Sequence, residues 1–164
     1  MVIPFELPKP FEKPRLYALV RNDLASLNSG KAVAQAMHAA GTFAEMMVQI
    51  FTYMDHDDSP YKKYEDAVEP YREWAASAGM RRDHHPDMSQ GFGVTLALEV
   101  NENQMRQINE AARNLGLPCG IAHDPDYPLR DGETVHLIPL DTVGFVFIGE
   151  AASKVFFSRF GLMP

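Results

Sequence analysis

The chain has 164 residues, of which 46% are hydrophobic and 23% are charged, and its formal net charge is −7. This length and composition are typical of a single globular domain and exclude wholesale disorder or a fibrous fold. No apolar run in the sequence is long enough to cross a membrane. The acidic balance argues against a broad nucleic-acid-binding surface, although it is compatible with a small local basic site.

The single cysteine, Cys119, cannot form a disulfide within the chain. The N-terminus lacks the basic and apolar segments of a secretory signal, so we expect a cytoplasmic protein. Cys119 lies in the apolar run 118–121, where we expect a buried side chain rather than a nucleophile.

Residues 1–14 contain prolines at positions 4, 8, 10 and 14. Proline at this density fixes φ and removes backbone donors, which predicts an extended arm. The apolar side chains between the prolines indicate that the arm lies on its own domain or on a second subunit.

Residues 16–20 are predicted to form a strand, which a polar loop ending at Asn28-Ser29-Gly30 connects to a helix that begins near Lys31. Helical spacing puts one apolar stripe toward the core, namely Val33, Met37, Ala40, Ala44 and Met47. The other stripe is polar and contains Lys31, Gln35, His38, Thr42, Glu45 and Gln49. An ordinary solvated face would explain a polar stripe, but Gln35 and His38 lie among alanines, where lysine and glutamate are more usual. The helix N-terminus at this strand end is a favourable place for an anion.

Residues 54–92 are predicted to form a loop, a helix over residues 65–78 and a second loop. Aspartates and histidines cluster at residues 55–58 and 83–87. Neighbouring side chains diverge, and neither cluster has the spacing that puts two ligands on one helix face. Solvated loops are therefore the better interpretation, and we predict no metal site or other cofactor.

The second half of the chain begins with a predicted strand at 94–100, a helix at 101–115 with an asparagine cap, and a strand at 117–123. This strand–helix–strand order predicts a parallel crossover unit, with Asp124 at the carboxyl end of the second strand. A polar excursion at 125–133 precedes strands at 134–138 and 142–149 and a short helix at 151–160. The predicted fold is a single α/β domain, a mixed sheet of about four strands covered by helices on both faces.

Several sequence blocks resemble the type II peptidyl-tRNA hydrolases. The most specific is Gly30-Lys31 followed by Gln35 and His38 behind a strand. The other matching blocks occur in the family's order and are Leu19 to Leu24, His38-Ala39-Ala40, Leu115-Gly116-Leu117-Pro118, Asp124, Ile138-Pro139, Thr142-Val143 and Ile148-Gly149.

The resemblance implies an α/β domain over residues 15–164, commonly a homodimer, that hydrolyses the ester between a peptide and the 3′ ribose of tRNA. It implies a catalytic set of Lys31, Gln35, His38, Asp124 and Thr142, with Asn22, Asp23, Ser29 and Gly30 contacting the substrate, peptidyl-tRNA. In the expected chemistry, Asp124 with His38 orients a water, Lys31 and Gln35 donate hydrogen bonds, and Thr142 holds the acyl group or the water.

The chain departs from the family in the positions that usually carry lysine. Residues 25–29 contain none, Thr95 and Glu99 occupy the strand positions, and residues 54–92 form an insertion. Each missing lysine removes a phosphate contact, so we expect weak or altered tRNA binding. The alternative is a non-catalytic relative of the fold that binds a small ligand or a protein partner. An unrelated nucleotide-binding domain has no support, because the sequence lacks G-x-G-x-x-G and Walker motifs.

Overall fold

The structure, a computed structural model, describes residues 7–24, 28–77 and 93–163. Its elements follow one another along the chain as β1 Pro14–Arg21, α1 Ser29–Tyr53, a 3-10 helix Lys62–Ala67, α2 Val68–Ser77, β2 Thr95–Val100, α3 Glu102–Asn114, β3 Cys119–Asp131, β4 Thr134–Gly149 and α4 Glu150–Ser158. The strands form one mixed sheet in the order β2-β1-β4-β3. Strand β1 is parallel to β2 and antiparallel to β4, which also pairs antiparallel with β3. The predicted fold class is confirmed.

The sheet has a hydrophobic core on each face because alternate residues of β1 and β4 point to opposite sides. The core under α1 and α2 includes Leu16, Ala18, Val20, Phe43, Trp74, Phe145 and Phe147. The core under α3 and α4 includes Tyr17, Leu19, Met105, Ile108, Val146, Ile148 and Phe157. The two central strands are therefore buried on both sides, and their long apolar runs reflect this position.

Helix α1 is rotated relative to the predicted apolar face. Val33 and Met37 are 62% and 70% exposed, so the prediction that they face the core is wrong. The buried side is formed by Gln35, Ala39, Phe43, Met47 and Ile50, of which only Met47 belongs to the predicted apolar stripe. The ring of Phe43 lies 5.0–5.7 Å from those of Tyr71, Trp74, Phe145 and Phe147. An aromatic ring buries more apolar surface than Val33 or Met37 would, and this determines which side of α1 faces the sheet.

Helix α3 follows its local sequence signals closely. The Asn101 side chain accepts the N–H of Gln104, whose own side chain returns to the Asn101 N–H, forming a capping box. Gly116, with φ of +71°, follows the helix. Strands β2 and β3, which α3 connects, run in the same direction but form the two opposite edges of the sheet. They are therefore not the neighbouring pair that a simple crossover unit would give.

Strands β3 and β4 extend as a hairpin beyond the end of β1, through the residues predicted as a polar excursion. The hairpin turns at Gly132, whose φ is +59°. Asp124 consequently lies within β3, paired with Leu140, and its predicted place at a strand end is wrong. The sequence predicted a loop here because a hairpin that projects beyond the core has the polar composition of a loop.

The residues described in the N-terminal segment, 7–13, form bends and turns rather than the predicted extended arm. Leu7 and Phe11 pack against the chain's own core, and the Gly149 N–H donates to the Pro10 carbonyl at 2.6 Å. Residues 54–61 form turns, whereas the end of the predicted 65–78 helix and the loop with the 83–87 cluster lie outside the described residues. Within the described residues, no helix combines the length and apolarity needed to cross a membrane.

Candidate active site

The N-terminus of α1 and the β3–β4 hairpin enclose a cleft of about 690 Å³. Asn28 caps the helix, its Oδ1 accepting the N–H of Lys31 at 2.9 Å. The Lys31 Nζ donates to the carbonyl of Pro128 at 3.0 Å and lies 4.9 Å from the ring centroid of Tyr127. The ring and the carbonyl fix the ammonium group at the cleft wall, and with three N–H donors it can still bind an anion or a ribose oxygen.

A second cleft, of about 500 Å³, lies further along α1 against the same strand. His38, Thr42 and Glu45 line it from α1, while His123 and Asp124 line it from β3. The Asp124 Oδ1 accepts the N–H of Asp126 at 3.0 Å, which orients the carboxylate. An imidazole and a carboxylate on opposite walls can together orient a water or a ribose hydroxyl.

Gln35 lies on α1 between the residues that line the two clefts. Helical geometry puts Lys31, Gln35 and His38 within roughly 60° of arc on one side of the helix. Gln35 is only 4% exposed, yet neither its Oε1 nor its Nε2 has a hydrogen-bond partner among the described residues. A buried amide without partners costs stability, so the position of Gln35 calls for an explanation such as a catalytic role or a bound water or ion.

Two residues that the sequence analysis did not single out form a polar pair at the second cleft. The Nδ1 of His123 is 3.0 Å from the Oδ1 of Asp141, its cross-strand neighbour. The other carboxylate oxygen of Asp141 accepts from Arg106 of α3 at 2.6 Å. The register shift between Ala122 and His123 brings this pair together, because Thr142 is the extra residue of β4 at that point.

Asp23, a predicted substrate contact, belongs to an ion-pair network at the N-terminus of α3. Its carboxylate accepts two hydrogen bonds from Arg21 and a third from the N–H of Glu102. Arg21 is 5% exposed and also bonds the carboxylate of Glu102 and the carbonyl of Asp141. The Arg21 hydrogen bond holds the pKa of Asp23 below its ordinary value. Arg21 was matched only as part of a sequence block, and its burial was not foreseen.

The remaining predicted site residues do not line either cleft. Thr142 is completely buried, and its hydroxyl lies 3.5 Å from the carbonyl oxygen of Ala122. Asn22 is exposed beyond β1, while Ser29 and Gly30 are exposed in the first turn of α1, beside the cleft wall. None of these four residues lines either cleft.

Cys119 is buried, as predicted, and burial raises the pKa of its thiol to about 11. A thiol with this pKa is protonated at neutral pH and is a poor nucleophile. The described residues contain no group of three or more histidine, cysteine, aspartate or glutamate side chains arranged to hold a metal ion.

A family model described as peptidyl-tRNA hydrolase PTH2 matches residues 15–135, more than half of the chain. The chain belongs to this family. A search of curated protein sequences found no significant match.

Most of the site predicted by resemblance lies inside the span that the PTH2 family model covers. Lys31, Gln35, His38 and Asp124 are within residues 15–135, and Thr142 is beyond them. Sequence reasoning missed the pairing of His123 with Asp141, and the only local signal was that each adjoins a residue that had been singled out. Tyr127, the aromatic partner of Lys31, carried no signal in the predicted loop.

Proposed function

We propose that this PTH2 family member hydrolyses the ester between a peptide and the 3′ ribose of tRNA, using the clefts between α1 and β3. The observation that carries the proposal is the arrangement of family-matched residues along these clefts. Lys31 lines one, while His38 and Asp124 line opposite walls of the other. Gln35 is buried between them with its amide unpaired.

In this proposal the attacking water is oriented by Asp124 with His38. Lys31 and the amide of Gln35 donate hydrogen bonds to the oxygen that becomes negatively charged as the tetrahedral intermediate forms. Bonding of the Gln35 amide to the substrate would offset the cost of burying it without a partner. The roles of Thr142 at the acyl group, and of Asn22, Asp23, Ser29 and Gly30 toward the tRNA, stay predictions. So do a homodimer and a cytoplasmic location.

A non-catalytic relative that binds a small ligand or a protein partner is the second candidate. The net charge of −7 favours it, as does the exposed Glu99 at a strand position where a lysine is usual in the family. Both features weaken the attraction to phosphates that a tRNA-binding protein uses.

Hydrolysis of N-acetylated aminoacyl-tRNA by the full chain, with a gel shift of the same tRNA at low salt, separates these candidates. Peptidyl-tRNA hydrolysis predicts release of deacylated tRNA, together with a shift that weakens steeply as salt is added. Absence of both turnover and shift would favour the non-catalytic candidate. The assay uses the intact chain, so the insertion at residues 54–92 is present.

A further inference from the structure

His123 and Asp141 form a side-chain pair whose geometry suits proton transfer in the second cleft. The Nδ1 of His123 lies 3.0 Å from the Oδ1 of Asp141. An ionised carboxylate can only accept hydrogen bonds, so Nδ1 carries the proton in the neutral ring. The lone pair of the neutral imidazole is then on Nε2, which has no hydrogen-bond partner among the described residues.

Asp141 is itself held from two directions, which fixes the imidazole that it contacts. Arg106 bonds its second carboxylate oxygen at 2.6 Å, and Arg21 donates to its main-chain carbonyl at 3.0 Å. The Asp141 side chain is 22% exposed, whereas that of His123 is 55% exposed and lines the cleft. The carboxylate therefore lies deeper, and the ring stands between it and the cleft.

His38, the other imidazole at this cleft, lacks such support. Its ring has no hydrogen-bond or ion-pair partner among the described residues. A general base is most effective when a second group fixes its tautomer and orientation, as a carboxylate does for the histidine of serine hydrolases. Of the two histidines, only His123 has this arrangement.

We propose that His123 is a catalytic base in the ester hydrolysis and that Asp141 is its positioning residue, an inference that rests on the function proposed above. The water oxygen forms a bond to the ester carbonyl carbon while one water proton moves to Nε2 of His123. The tetrahedral intermediate then collapses, the bond between the carbonyl carbon and the ribose 3′ oxygen breaks, and the proton on Nε2 passes to that oxygen. The products are the peptide acid and the free 3′ hydroxyl, and the imidazole is again neutral.

The test is single-turnover hydrolysis of N-acetylated aminoacyl-tRNA by the wild type, His123→Ala and Asp141→Asn. His123→Ala is expected to lower the rate of the chemical step by about 10² to 10⁴-fold, with substrate affinity unchanged. Imidazole added to the buffer should restore part of that rate. Asp141→Asn should lower the rate of the same step without changing substrate affinity. Added imidazole should not restore this rate, because the His123 ring still fills the position that free imidazole would take.

His136→Ala is the matched control, since His136 is exposed on the same hairpin and lines neither cleft. It should hydrolyse at the wild-type rate and show no response to imidazole. Thermal unfolding of each variant establishes that it is folded. Wild-type turnover by His123→Ala, or a loss that imidazole does not restore in a folded variant, would overturn the base assignment alone. Failure of the wild type to hydrolyse the substrate would overturn the proposed function and this inference together.

Discussion

Helices α1 and α3 both begin with an asparagine cap, and each follows one strand of the same parallel pair, but their first turns are completed differently. At α3, Asn101 and Gln104 form a capping box, and the carboxylate of Asp23 accepts the N–H of Glu102. At α1, Asn28 caps alone and the first turn contains no acidic residue. The positive end of α3 is thus neutralised by the chain's own carboxylates, whereas that of α1 borders a cleft.

The buried polar side chains near the two helices show the same contrast. Arg21, close to α3, bonds Asp23, Glu102 and a main-chain carbonyl. Gln35, on α1, is as deeply buried and has no described partner for either polar atom. Arg21 therefore stabilises the fold, whereas the unpaired amide of Gln35 has hydrogen-bonding groups that a ligand could use. Substitutions near the N-terminus of α1 should therefore lower activity, whereas substitutions near the N-terminus of α3 should lower stability.

Among the substitutions that compare the two helix N-termini, the largest effect is expected for Lys31→Ala. Losing a donor near the developing oxyanion should lower kcat/KM for N-acetylated aminoacyl-tRNA by about 10² to 10³-fold. The free energy of unfolding should fall by less than about 1 kcal/mol, since Lys31 contributes only one surface hydrogen bond and a cation–π contact. Lys62→Ala, which removes a lysine paired with the fully exposed Asp57, is the control and should change neither quantity. Equal kcat/KM for Lys31→Ala and wild type would show that Lys31 takes no part in the hydrolysis.

Gln35→Met should make the protein more stable and less active. Replacing an unpaired buried amide by a thioether chain of similar shape should raise the free energy of unfolding by about 1–3 kcal/mol. The melting temperature should rise by about 2–4 °C for each kcal/mol.

Gln49→Met on the same helix is the matched comparison for this substitution. The Gln49 Oε1 accepts from the Tyr61 hydroxyl, so its replacement should lower stability by about 1 kcal/mol. Thermal unfolding of both variants tests the contrast. Destabilisation by both substitutions would show that Gln35 is satisfied in the folded protein.

Asp23→Asn should produce the smallest effect, and on stability rather than on turnover. The variant keeps an acceptor for the Glu102 N–H but weakens the pair with Arg21, which should cost about 1 kcal/mol. A rise in KM for tRNA at unchanged stability would instead favour the predicted substrate contact.

The pH dependence of this stability difference follows from the lowered pKa of Asp23. Its contribution is fully present above the unfolded-state pKa of about 3.9 and is lost as the pH falls through the lower folded-state pKa. Urea unfolding should therefore show a constant difference between wild type and Asp23→Asn from about pH 5 to 7, which shrinks below about pH 4. A difference that persists at lower pH would mean that the Asp23 charge is not its source.

The parts of the fold that the sequence predicted well are those determined by local signals. The strand at 16–20 and helix α3, with its Asn101 cap and Gly116 at its end, need only neighbouring residues to specify them. The rotation of α1 depends on the rings that surround Phe43, which come from α2 and β4. The β3–β4 hairpin is exposed, so it lacks the alternating apolar pattern by which strands are found.

The candidate site likewise contains residues whose placement local sequence patterns predict and residues whose placement they do not. Lys31, Gln35 and His38 lie at helical spacing, so their common side of α1 could be predicted from the sequence. The pairing of His123 with Asp141 joins residues 18 positions apart through a register shift, and no local pattern encodes such a shift. Thr142 was chosen by resemblance alone, and it is the extra, completely buried residue of β4 at this register shift.

The most direct measurement is single-turnover hydrolysis of N-acetylated aminoacyl-tRNA by Asp124→Asn beside the wild type. Asparagine keeps the side-chain oxygen that accepts the Asp126 N–H and removes the charge. Cleavage at the α1–β3 clefts predicts hydrolysis by the wild type and a loss of about 10² to 10⁴-fold in Asp124→Asn, with an unchanged melting temperature. Hydrolysis by Asp124→Asn at the wild-type rate would contradict an active site at these clefts.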